Sequence, residues 1–157
     1  MGLAPFGNPH AKAPGKKSYI EIFRKIIKLK KDATYEINKD WISYHLQRDT
    51  WISEKFIQTF GKKRKSNSKI TNVHKNIAAA LQLRLEEVTL SNLRFYSKKY
   101  KIKNLAIAGG VGLNCSLNGK IQKSKIFDKI FIQPASGDSG TAIGAVYASF
   151  ENVFKKE

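Results

Sequence analysis

The sequence is short of several residue types, and each shortage excludes something. Cysteine occurs once, at Cys115, so no disulfide forms within the chain, which suits a reducing compartment. Acidic residues are scarce: 12 Asp and Glu stand against 29 Lys and Arg, a formal net charge of +17. No apolar run approaches the roughly 18 residues that a membrane helix needs. The opening stretch, MGLAPFGNPHAKAPGKK, lacks the apolar segment of a secretory signal. A soluble, cytoplasmic protein with no membrane partner is therefore expected.

What is present supports one folded unit: 157 residues with 41% apolar content are enough for a core. The positive charge attracts phosphate of any kind. Yet the basic residues are mostly Lys, scattered beside Ile and Asn, the bias of an AT-rich coding sequence. A solvated surface is the default reading, and nucleic acid is not an expected partner.

Three of the four prolines fall within residues 1–17, marking a loop. Ser18 and Glu21 form a capping box ahead of a helix whose apolar stripe is Tyr19, Ile22, Phe23, Ile26 and Ile27. Thr34–Ile37 reads as a short strand, and Ser53 caps a short helix ending at Gly61. Residues 1–70 thus form a loop and helical linker region. Residues 71–157 then hold a long helix and two β-α units. The helix starts after Thr71, runs to about Lys99, and is expected to bury Ile77, Leu81, Leu85, Val88 and Tyr96. The strands are Asn104–Ala108 and Lys129–Gln133, with helices Asn114–Ser124 and Thr141–Phe150. Near-continuous apolar strands predict a mostly parallel α/β sheet buried on both faces.

Ligands of open α/β sheets sit beyond the carboxyl ends of the strands. Two glycine-rich turns fall there. In Gly109-Gly110-Val111-Gly112 the missing side chains let a ligand approach the backbone, and the next helix offers free N–H groups. Asn114 adds a side-chain hydrogen bond. The second turn, Ser136-Gly137-Asp138-Ser139-Gly140, contains the GDSG of chymotrypsin-like proteases. Here it opens a helix in an α/β pattern, so Ser139 is not read as a nucleophile. Asp138 is open to two readings, a helix cap or a metal ligand. Cys115 reads as a small packing residue.

Three segments together, MGLAPFGNP (1–9), HKNIAAALQLRLEE (74–87) and LAIAGGVGLNCSLNGKI…IFIQPASGDSGTAIGAVY (105–147), resemble the nodulation-protein-U type carbamoyltransferases. That family includes the antibiotic O-carbamoyltransferases and is similar to the tRNA threonylcarbamoyl transferases. The resemblance implies the second lobe of an actin-like (sugar kinase/Hsp70/actin) ATPase fold, with a helical insertion and incomplete. It implies that carbamoyl phosphate and ATP become a carbamoyl-adenylate, whose carbamoyl group passes to a small-molecule hydroxyl acceptor. Gly109, Gly110, Val111, Asn114 and Gly137 would then hold the nucleotide. Asp138 would bind a divalent metal, with iron the first expectation, which puts the ligand reading ahead of the cap.

The departures are specific. The family's metal site also uses an H-x-x-x-H pair from its first lobe, whereas His10, His45 and His74 include no two residues four apart. His74, at the start of the long helix, reads either as a residue that supports the site from behind its ligands or as structural. The threonylcarbamoyl relatives place a glutamate just after the glycine loop, where this chain has Asn8, Pro9, His10 and Ala11. Met1 coincides with a methionine inside the family's chains, and the adenylate-forming C-terminal domain does not follow. The expectation is a carbamoyltransferase fragment, inactive alone. The alternatives are a non-catalytic subunit completed by a chain carrying the first lobe, and a basic nucleic-acid binder.

Overall fold

The computed structural model describes residues 1–15, 17–46 and 48–154. Contacts divide the chain into two compact units, Met1–Phe95 and Tyr96–Glu157.

The first unit is organised on helix α1, Tyr19–Ile26. Its capping box forms as the residues require: the Glu21 N–H donates to Ser18 Oγ, and the Ser18 N–H donates to Glu21 Oε2 at 2.8 Å. Tyr19, Ile20, Ile22, Phe23 and Ile26 are buried. The chain leaves the helix directly into strand β1, Ile27–Leu29, which pairs antiparallel with β2, Tyr35–Ile37. Helix α2, Glu54–Phe60, is capped by Ser53 and stopped at Gly61, where φ is 99°. Its last residue, Phe60, is the hub of the core. The ring stacks on Tyr19 and Phe23 at 5.6 and 6.0 Å and meets Phe56 at 4.6 Å. Trp41 closes the same cluster, and Ala80 lies in it fully buried.

Ala80 belongs to helix α3, Asn72–Tyr100. Thr71 starts it: its carbonyl accepts from Lys75 N, and its own N–H donates to the His74 ring at 2.9 Å. His74 thus replaces the usual Glu or Gln of a capping box. The buried face of α3 differs from the one expected. Val88 is buried, and Ile77 packs against the core, but Leu81 and Tyr96 are 47% and 41% exposed. In their place Arg84 and Glu86 go under. Arg84 Nε and Nη2 both donate to the Ile27 carbonyl, at 2.9 and 2.6 Å, and Nη1 donates to Glu87 at 2.7 Å. Arg24 of α1 holds the same carboxylate. That clamp turns α3 so that a polar pair faces α1, which an apolar-periodicity count cannot register.

The second unit holds strands β3, Asn104–Ile107, and β4, Lys129–Ile132, paired parallel with Asn104 opposite Lys129 and Ile107 opposite Ile132. Helix α4, Cys115–Lys123, connects them and buries Leu117 and Ile121. Helix α5 is Gly140–Phe154. The parallel pairing is as expected; burial on both faces is not. Leu105, Ile107, Ile130 and Ile132 are half-buried, whereas Ala106 and Phe131 face outward, Phe131 at 60% exposure. From Thr141 to Val153 α5 is exposed on every side. A parallel sheet is buried on both faces only when other elements cover each of them, and the exposure of Ala106 and Phe131 shows one face left open. Among the described residues no helix is long and apolar enough to cross a membrane.

Candidate functional site

In-register parallel pairing brings the two glycine-rich turns side by side. The Gln133 N–H extends the ladder by donating to the Ile107 carbonyl at 3.0 Å. Immediately beyond, the chains diverge around an open cleft of about 390 Å3, lined by Ala108, Gly109, Gly110, Gln133, Ala135, Ser136, Gly137, Asp138, Gly140 and Thr141.

The first turn bends at Gly109, whose φ of 92° and ψ of 164° suit only glycine. A tight 3-10 turn, Gly110–Leu113, follows. Asn118 of α4 reaches back to it, its Nδ2 donating to the Gly112 carbonyl at 2.7 Å. Asn114 is the N-cap of α4, its Oδ1 accepting from Leu117 N at 3.1 Å.

The second turn is closed on itself. A Cβ at Gly140 would lie 2.1 Å from the Ala135 carbonyl oxygen, so only glycine fits that approach. The Asp138 carbonyl accepts from the Thr141 N–H at 3.1 Å and from its hydroxyl at 2.7 Å. The Asp138 side chain is exposed, and its carboxylate carries no hydrogen bond or ion pair among the described residues. It does not cap α5. The first turn of that helix contains no acidic residue, and Gly140 and Thr141 at its start line the cleft with their N–H groups donating to the Gly137 and Asp138 carbonyls.

Of the residues singled out from sequence, Gly109, Gly110, Gly137 and Asp138 share this cleft. Val111 is exposed outside its lining, and Asn114 is engaged in capping. Two residues that sequence reasoning passed over are central to the geometry. Ser136 is buried between the turns, and Asn118 pins the first of them. A serine before GD and an asparagine four residues after an N-cap carry no signal of their own; both became visible through what they touch. A second cleft, of about 700 Å3, lies along α4 and β4 and is lined by Cys115, Phe127 and Ile130 among others.

The donor set does not fit a metal ion held by this chain alone. Among the described residues no three His, Cys, Asp or Glu side chains are grouped to hold one. A single carboxylate binds divalent ions weakly.

A β-α-β unit with parallel strands and a glycine-lined cleft at their carboxyl ends is the arrangement of an α/β protein. The chain belongs to the carbamoyltransferase family: residues 1–147 match the family model described as carbamoyltransferase N-terminus. It is similar to nodulation protein NolNO of Sinorhizobium fredii, with 38% identity over 92% of this chain and 19% of that protein. It is similar to nodulation protein NolO of Bradyrhizobium diazoefficiens, with 35% identity over 92% of this chain and 23% of that protein. An uncharacterized protein of Synechocystis is 35% identical over all of this chain and 24% of its own length. The chain therefore spans about a fifth to a quarter of these relatives.

Proposed function

We propose that this chain forms the glycine-turn half of a carbamoyltransferase active site, on the second lobe of an actin-like ATPase fold. The observation that carries the reading is the meeting of Gly109, Gly110, Gly137 and Asp138 in one cleft at the ends of two parallel strands. In the parent reaction carbamoyl phosphate, water and ATP give a carbamoyl-adenylate with release of phosphate and pyrophosphate, and the carbamoyl group then passes to the hydroxyl of a small molecule, releasing AMP and the hydroxyl proton. The bare backbone at Gly109 and Gly110 lets the nucleotide approach closely, and the start of α5 faces its phosphates. Asp138 contributes one carboxylate toward a divalent ion, iron being the first expectation, whose other donors come from outside the described residues. A reducing, cytoplasmic setting fits the single thiol.

The exposed apolar sides of α5 and of the β3–β4 sheet favour a structure completed by a further lobe bearing an H-x-x-x-H pair, on this polypeptide or another. The purified 157-residue chain, given carbamoyl phosphate, ATP and Fe2+, is expected to show no sustained turnover. Steady turnover by the chain alone, abolished in Asp138→Ala, would overturn the half-site reading. Amide NMR signals of Gly109, Gly110 and Gly137 are expected to shift on addition of Mg·ATP at ~0.15 M salt, where scattered surface lysines are largely screened.

A further inference from the structure

The two turns come closest where Gly112 meets Ser136. Gly112 is buried, and a Cβ built on it would lie 2.9 Å from Ser136 Oγ, 3.0 Å from Ser136 Cβ and 3.3 Å from Ile107 Cγ2. Ser136 is 5% exposed, and its hydroxyl has no hydrogen-bond partner among the described residues. A buried hydroxyl left unpaired costs stability rather than adding to it, so what the side chain contributes here is its volume. On one side, Gly112 is fixed by Asn118 through its carbonyl. On the other, Ser136 leads into the closed loop whose ends meet at Ala135 and Gly140. That loop carries Asp138, whose carboxylate has no side-chain anchor of its own.

We propose that Ser136 is a positioning residue: seated on Gly112, it sets where the Asp138 loop stands relative to the first glycine turn. Asp138 then takes its place from a chain of contacts running Asn118, Gly112, Ser136, loop. This rests on the proposed function only for what the cleft binds; the mechanical link stands without it.

Hydrogen exchange on the full chain tests the link with no ligand added. The reporters are the amides of Gly140 and Thr141, bonded to the Gly137 and Asp138 carbonyls at 3.0 and 3.1 Å. Gly112→Ala wedges the contact open and Ser136→Gly empties it. Each is expected to speed exchange at both reporters by at least ~10-fold, with amides of α1 and α3 unchanged. The double variant Gly112→Ala/Ser136→Gly refills the contact from the other side and is expected to return both reporters to within ~3-fold of the original. Ser136→Ala keeps the Cβ and discards only the unpaired hydroxyl, so it is expected to leave exchange within ~2-fold. Exchange unchanged in Ser136→Gly overturns the proposal. So does a loss in Ser136→Ala equal to that in Ser136→Gly, because the hydroxyl rather than the packing would then be at work. Mg·ATP binding is measured on the same variants. Reporters that behave as expected in a chain that binds no Mg·ATP leave the link standing and remove the nucleotide reading.

Discussion

At the scale of single residues, glycine is informative here where something approaches it closely. Gly7 is the clearest case: a Cβ there would fall 2.0 Å from the Lys75 carbonyl oxygen, inside the first turn of α3. The neighbouring Asn8 N–H donates to Asn76 Oδ1 at 2.8 Å, so the N-terminal loop is docked on that helix start. Gly7→Ala is expected to cost about 1–3 kcal/mol through forced displacement, read as a lower urea midpoint of the full chain. Gly2→Ala, with open space around it, is expected to leave the unfolding free energy within about 0.5 kcal/mol of the original. Composition marks that stretch as a loop and says nothing of what it packs on. The deciding fact, a helix carbonyl pressed on Gly7, is a contact between residues far apart in the chain, which no local pattern encodes.

At the scale of elements, the Arg24–Glu87–Arg84 clamp ties α1 to α3. Burial pushes the Glu87 carboxyl up, but the hydrogen bonds and charges of Arg24 and Arg84 outweigh it and hold the group below the usual carboxylate range. A depressed value in the folded state means stability that is present above the unfolded carboxylate value, about 4.3. That stability is lost as pH falls through the folded value. Glu87→Gln is expected to cost roughly 1–3 kcal/mol near neutral pH, since it leaves the buried Arg84 short of its anion. The gap between the original and the variant should close as pH is lowered from about 6 to about 3, followed by thermal melts across that range. The elements legible beforehand were those with a local signature: Ser18 with Glu21, Ser53 with Gly61, Thr71, and the two strands with the glycines after them. Strand β1 was not legible because Ile27–Leu29 continues α1 without a break and has only three residues. The buried face of α3 was misread because periodicity weighs apolar residues and ignores an arginine reaching for a carbonyl. In the cleft, Gly109, Gly110, Gly137 and Asp138 were readable from the turns themselves. The Gly112–Ser136 contact needed the register of β3 against β4.

At the scale of the whole molecule, the second unit exposes more apolar surface than its sequence pattern anticipates. Val146 and Tyr147 are each 69% exposed and Phe150 53%, all on α5, with Phe131 on the sheet. Surface of this kind promotes association. The chain is expected to show a concentration-dependent apparent mass in light scattering at moderate salt. Val146→Lys with Phe150→Lys should lower that mass while leaving the melting temperature within a few degrees, because neither side chain is buried. An unchanged mass in the double variant would place the association elsewhere. The isolated thiol gives the second unit a built-in gauge. Cys115 is exposed, has no second cysteine to confuse it, and lines the cleft along α4 and β4. A maleimide dye therefore labels one defined point on the second unit. The speed of its attachment, and later its colour, report in real time when another protein surface comes to rest there.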